Sequence, residues 1–391
     1  MKKIVFFNIP AQGHTNPTLG VVRELVARGH RVWYYSYERF RADMEAAGAV
    51  FLSCDDWDAQ QKLTPGDGAR LGKDLAFATR VLVDTTLALD EPVCRMLEEL
   101  RPDCIVADSM ALWGRLLARK MHIPLVSSTT TFAFNRDSAK TIKQSGGELL
   151  KMLLSMPAIH KQLRRLRERG YLVKSVLDII GNDNGTDTIV YTSPEFQPSA
   201  DTFSEKYAFV GPSIRPVVEQ VEKQREKLVY ISMGTVNNDM LSLYRSCVEA
   251  LREQEHQVIL SVGEQVDVSG LGQLPPHSSA CQKGDQIAVL QQADVFLTHC
   301  VMNRVSESLY YGVPLVMLPG TPEQRSVAAR VEQLGAGLRL EDLTPAGILA
   351  ALREVLETPA YRENAAGIGR GFRSCPGAAG AADKILKVCG G

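Results

Sequence analysis

The sequence holds no apolar run of the roughly 18–20 residues that a membrane-spanning helix requires. Neither sign of charge is in excess: 44 Lys and Arg stand against 45 Asp and Glu. There is thus no basic excess to suggest a nucleic acid or an anionic membrane as partner. The eight cysteines form no CxxC pair and no metal-like spacing. In a chain this long they are expected to be reduced, mostly buried thiols of a cytoplasmic protein. The seven histidines include no HExxH, so no metal is expected. The opening MKKIVFFNIPAQGH loses its apolar character after Ile9 and has no small-residue cleavage pattern, so it reads as a first strand and not as a leader. No GxGxxG follows that strand, only Gly13 before His14, so the dinucleotide fingerprint is missing.

What remains is an alternation of apolar strands and amphipathic helices. A chain of 391 residues exceeds one ordinary core and predicts two domains. KKIVFFNI, RVWYYSY, CIVAD and IPLVSST read as buried parallel strands, with a helix expected from about Pro17 to Ala27. Residues 53–72 read as a polar, turn-rich loop, and 128–180 as loops and charged helices. TIVYTS and KYAFVG close the first half, PSIRPVVEQVEKQREK (212–227) is the expected linker, and KLVYISMG opens a second β/α series. The expected division is 1–211, linker 212–227, 228–375, and a C-terminal helix at 376–391.

The richest stretch is 293–325, ADVFLTHCVMNRVSESLYYGVPLVMLPGTPEQR. It predicts a strand ending at His299, a helix from about Met302 to Tyr311, a second strand PLVMLP, and a helix opened by Pro322, Glu323 and Gln324. In an open α/β sheet ligands bind at the carboxyl ends of the strands, and a helix N-terminus favours an anion such as phosphate. The block therefore proposes a nucleotide site.

Six segments in order carry a resemblance: GHTNPTLGVVRELVARGHRVWYYS (13–36), RPDCIVADSMALWG (101–114), YTSPEFQP (191–198), FVGPSI (209–214), VYISMGT (229–235), and the block 293–325 continued through VEQLGAG (331–337). Together they resemble family-1, UDP-dependent glycosyltransferases of the GT-B fold, in particular bacterial macrolide and flavonoid glucosyltransferases. The resemblance implies two Rossmann-like domains with parallel sheets facing a cleft, the first for an acceptor and the second for a nucleotide-sugar. It implies an inverting transfer of a hexose, from a UDP-sugar, to a hydroxyl of a small and largely apolar acceptor, with no resident cofactor. His14 then stands where the family has its base and Asp108 where it has the partner aspartate. Transfer to a hydroxyl needs such a base, and an imidazole typically contributes ~10²–10⁴-fold. On the donor side the resemblance places Ser232, Gly234 and Thr235 beside the diphosphate and His299 on a phosphate oxygen. It places Asn303 and Glu307 on phosphate and ribose, Glu323 and Gln324 on the sugar hydroxyls, and Gln286 near the base.

The phosphate turn departs from the family's His-Gly-Gly-Met-Asn-Ser: here it is His299-Cys300-Val301-Met302-Asn303-Arg304. Glycines permit positive φ and close approach of the backbone, and a β-branched valine suits neither. The family's base-stacking aromatic falls at Lys283, and its following proline at Asp285. Three readings stay open. Arg304 or Lys283 supplies charge to a remodelled donor site; the donor site is impaired and the protein is a non-catalytic binding or accessory protein; or His14 and Asp108 serve other chemistry.

Overall fold

The computed structural model describes residues 1–55, 67, 70, 74–135, 146–175, 184–217, 219–234 and 240–390. The chain divides into two compact units, one of Met1–Ser213 with Cys375–Gly391, the other of Ile214–Ser374.

The first unit is built on seven strands: β1 (Lys3–Phe7), β2 (Arg31–Ser36), β3 (Val50–Ser53), β4 (Cys104–Asp108), β5 (Leu125–Thr129), β6 (Asp187–Val190) and β7 (Tyr207–Phe209). Their order is β3-β2-β1-β4-β5-β6-β7, and every pairing is parallel. Helices α1 (Gln12–Ala27), α2 (Arg41–Ala46), α3 (Leu75–Leu100), α4 (Leu112–Lys120) and α5 (Gly146–Glu168) supply the crossovers. A sheet covered on both faces needs strands that are apolar throughout. KIVFF and CIVAD meet that demand and are almost wholly buried. The central strands lock by stacking, Phe6 on Tyr34 at 5.3 Å and Phe7 on Tyr35 at 5.2 Å between ring centroids. Gly114 lets α4 lie close on this sheet: a Cβ there would stand 2.8 Å from the Ala107 Cβ and 2.9 Å from the Phe7 Cβ.

The second unit repeats the plan with six parallel strands: β8 (Leu228–Ser232), β9 (Gln257–Ser261), β10 (Ser278–Cys281), β11 (Val295–Thr298), β12 (Leu315–Met317) and β13 (Gly337–Arg339), ordered β10-β9-β8-β11-β12-β13. Its helices are α6 (Leu241–Ala250), α7 (Gln286–Leu290), α8 (Met302–Tyr310), α9 (Pro322–Gln333), α10 (Pro345–Glu357) and α11 (Pro359–Ser374). The stretch from 214 to 227 is tied to this unit by Arg215 to Asp285 (3.0 Å), Lys223 to Asp294 (2.6 Å) and the Gln224 N–H to Gln257 Oε1 (2.7 Å). The last helix, α12 (Gly377–Gly390), packs on α1 and on β4 to β7 of the first unit. Lys384 meets Asp187 at 2.6 Å, and Lys2 Nζ donates to the Cys389 carbonyl at 2.7 Å.

Both sheets are doubly wound, and each has one point where the strand order reverses. In the first it lies between β1 and β4, in the second between β8 and β11. Those two crevices are where ligands bind in such sheets.

Candidate active site

The first crevice carries His14 and Asp108. The sequence predicts His14 in a loop and the helix start near Pro17. The structure instead begins α1 at Gln12 and sets His14 in its first turn. The His14 and Thr15 N–H groups both reach the Ala11 carbonyl, at 3.1 and 3.0 Å, and Asn8 Nδ2 donates to the His14 carbonyl at 2.8 Å. Pro17 stands inside the helix, where its missing N–H forgoes one bond, the one to the carbonyl of residue 13.

Asp108 closes β4, the strand paired with β1. Its Oδ2 lies 2.7 Å from His14 Nδ1, its Oδ1 accepts from the Met110 N–H at 2.7 Å, and its side chain has no exposed surface. A carboxylate held on both oxygens assigns the proton to His14 Nδ1 and leaves Nε2 as the basic nitrogen. The Thr130 hydroxyl, just past β5, stands 3.1 Å from the same Nδ1. Thr130 and Asn8 are not singled out by any motif in the sequence. The signal available was their place at the carboxyl ends of the strands beside and at the switch point.

The second crevice carries the donor-side residues. Ser232 ends β8 and His299 follows β11, strands paired with Ser232 opposite Thr298. Gly234 has φ +82, and a Cβ there would lie 2.6 Å from His299 Cε1. Thr235 lies outside the described residues. His299 is buried, and among the described residues its Nδ1 finds no hydrogen-bond partner. Burial, with the charge of Arg304 nearby, lowers its pKa to about 3 and keeps the imidazole neutral. Arg304 Nη1 donates to Ser232 Oγ at 2.8 Å and to Gln286 Oε1 at 2.7 Å, and Gln286 Nε2 donates in turn to Glu307. Burial pushes the Glu307 carboxyl upward. Ser232, Arg304, Gln286 and Glu307 therefore form one hydrogen-bonded chain, with Asn303 beside it in the first turn of α8.

The altered turn is less disturbed than its sequence suggests. Val301 needs no positive φ: it is the N-cap of α8 in extended backbone, φ −64 and ψ 136. The left-handed position falls on Cys300, at φ +67, with its side chain fully buried. A non-glycine residue there costs ~1–2 kcal/mol, but the turn is kept. Asp285, in place of the family's proline, caps α7 by accepting from the Ile287 N–H at 3.1 Å and pairs with Arg215. Lys283 is exposed. Gln324 has a structural duty: Thr321 and Gln324 form a capping box, and Gln324 Oε1 accepts from the N–H groups of Gly320 (2.7 Å) and Thr321 (3.1 Å). Its Nε2 is not engaged by the described residues. Glu323 is half-buried in the first turn of α9.

The contact between Gly234 and His299 yields a prediction. Gly234→Ala combines a left-handed backbone penalty of ~1–2 kcal/mol with a collision against a buried ring. Unfolding in urea is expected to show a loss of about 2 kcal/mol or more, and an unchanged midpoint would mean that the ring moves freely.

Two Rossmann-like α/β units, each with polar side chains gathered where its strand order reverses, define the GT-B class of glycosyltransferase. Known proteins agree. Residues 218–375 match the family model described as UDP-glucoronosyl and UDP-glucosyl transferase. The chain is 31% identical to the uncharacterized UDP-glucosyltransferase YojK of Bacillus subtilis (strain 168), over 99% of this chain and 98% of that protein. It is 31% identical to the demethyllactenocin mycarosyltransferase of Streptomyces fradiae, over 98% and 86%. Among solved structures, the calicheamicin glycosyltransferase CalG4 superposes with a TM-score of 0.83 at 30% identity, covering 100% of this chain and 98% of that one. The chain belongs to the UDP-glucosyl transferase family and is a nucleotide-sugar-dependent glycosyltransferase. Among the described residues, no helix is long and apolar enough to cross a membrane.

Proposed function

We propose that the chain moves a hexose from a UDP-sugar to a hydroxyl of a small, largely apolar acceptor of the natural-product kind, with inversion at C1. The observation that carries this reading is the 2.7 Å bond between His14 Nδ1 and a fully buried Asp108. It makes Nε2 the nitrogen that takes the acceptor's proton while the hydroxyl oxygen attacks C1. The bond from C1 to the phosphate oxygen then breaks, and its electron pair leaves on the diphosphate. No covalent enzyme intermediate is needed. Asp108 holds the imidazole in the right tautomer and offsets the charge it acquires.

An apolar acceptor is supported by Met110 and Phe134, large apolar side chains that stay exposed on the segments carrying Asp108 and Thr130. It is supported also by relatives named for transfer to demethyllactenocin and calicheamicin. On the donor side the reading assigns Ser232, Gly234, Thr235, His299 and Asn303 to the diphosphate. Glu307 and Gln286 take the nucleoside, and Glu323 and Gln324 the sugar.

Incubating the protein with a panel of nucleotide-sugars and phenolic or macrolide acceptors is expected to give a product heavier by one hexose. His14→Ala is expected to lower kcat by ~10²–10⁴-fold. An unchanged rate in that variant would remove His14 from the chemistry.

A further inference from the structure

We propose that Arg304 is the cation that receives the donor's diphosphate and holds the charge that builds on it as the glycosyl bond breaks. The proposal rests on the donor-site reading above and assigns a role to the residue by which this chain departs from the family's turn.

Arg304 is the third residue of α8, at the end of the helix where backbone N–H groups already place partial positive charge. A cation is unfavourable there unless an anion joins it. None of the protein's own carboxylates pairs with it directly, although Glu307 lies near enough to feel its charge. Among the described residues no Asp or Glu lies within ion-pair distance of Arg304, and Gln286 stands between it and Glu307. Both partners of the guanidinium are neutral oxygens, Ser232 Oγ and Gln286 Oε1, and both are reached by Nη1 alone. They fix the plane of the group and leave Nη2 and Nε unengaged by the described residues. The 2.8 Å contact to Ser232 sets this half-occupied fork at the carboxyl end of β8, beside the crevice that Gly234 and His299 line. His299, kept neutral, adds no competing charge.

A planar fork with free N–H groups matches phosphate oxygens, which accept two parallel bonds from it. In the transfer the electron pair of the C1–O bond passes to the diphosphate, which gains one negative charge as the acceptor's proton passes to His14. A fixed guanidinium interacts more strongly with that product-like charge than with the intact donor. Arg304 therefore acts on kcat as well as on donor affinity.

The test is calorimetric binding of uridine, UMP and UDP to the full chain and to Arg304→Met, Arg304→Lys and Arg304→Ser, with TDP and GDP titrated into the wild type and turnover measured alongside. Arg304→Met is expected to weaken UDP by ~10–100-fold and leave uridine within about twofold. The same variant is expected to lower kcat by ~10²–10³-fold. Arg304→Lys, which keeps the charge without the fork, should recover part of both. Equal losses for uridine and UDP would make Arg304 a strut for Gln286 and Ser232 and overturn the proposal. Tighter UDP binding in Arg304→Ser would show that the guanidinium blocks the site, and would overturn it too. Equal UDP binding to wild type and Arg304→Met would sink the proposal alone. Wild-type protein that binds none of UDP, TDP and GDP would instead sink the donor-site reading, and the proposal with it. Melting curves of all three variants separate these outcomes from misfolding, and Arg304→Lys serves if the neutral variants fail to fold.

Discussion

Asp108→Asn is expected to leave the protein folded and to lower kcat by about 10⁴-fold, as the loss of the orienting carboxylate does in a Ser-His-Asp triad. Asp108 accepts two hydrogen bonds from two fixed donors, the Met110 N–H on one oxygen and His14 Nδ1 on the other. An asparagine of the same shape has a single acceptor oxygen. If that oxygen faces the Met110 N–H, the amide NH₂ points at His14 Nδ1 and the imidazole must carry its proton on Nε2. The nitrogen that should accept the proton then already holds one. If the amide flips, NH₂ meets the Met110 N–H donor to donor, in a site with no exposed surface to admit water. The first arrangement is the less costly, so the variant is stable and carries the wrong tautomer. The check is kcat at saturating donor and acceptor, with thermal melting as the control for folding. A rate within about tenfold of wild type would show that Asp108 neither orients His14 nor balances its charge.

Asp108 is legible in the sequence because it ends an apolar run; the tertiary bonds that give it its role are not. The strands are legible because a parallel sheet covered on both faces needs continuous apolar runs, and KIVFF, CIVAD, LVYIS and VFLT supply them. Residues at the ends of those runs are then bound to lie at the carboxyl edge, which is how Asp108, Ser232, His299 and, one loop further on, His14 stand out. The start of α1 is misplaced because Pro17 is a strong local signal for a first turn, whereas the bonds from Asn8 and Ala11 that close the real first turn depend on how strand meets helix. Val301 looks like the obstacle in the phosphate turn, since the identity of a residue does not reveal which member of a turn takes positive φ. That position belongs to Cys300. Gln324 reads as a sugar contact alone, although Thr321-x-x-Gln324 is a capping-box pattern visible in the sequence. The partners of Arg304 lie 72 and 18 residues away. No local pattern encodes those distances, so its cation can be noticed in the sequence but not placed.

Stability is expected to fall steeply on the acid side of neutrality, and His299→Gln is expected to remove much of that fall. In the unfolded chain this imidazole titrates near its ordinary ~6.5. In the folded chain burial, helped by Arg304, lowers the pKa to about 3. The folded state therefore binds the proton less readily than the unfolded state does. Above ~6.5 both states are neutral here and the site costs nothing. As the pH falls from there toward the folded value, protons favour the unfolded chain by up to ~1.4 kcal/mol per pH unit. The loss levels off once both forms are protonated, several kcal/mol lower in all. Glutamine carries no titratable group, so its stability between pH 7 and pH 4 should decline more gently even if it starts lower. Urea unfolding at unit intervals of pH measures both slopes, and parallel slopes would show that His299 is not held neutral by burial. The same depression bears on function. An imidazole that stays neutral throughout the assay range keeps one N–H donor at every pH, which is what the donor-site reading proposed above asks of it for a phosphate oxygen. An acid limb in kcat near neutrality must then arise from another group, and its loss in His14→Ala would assign it to His14.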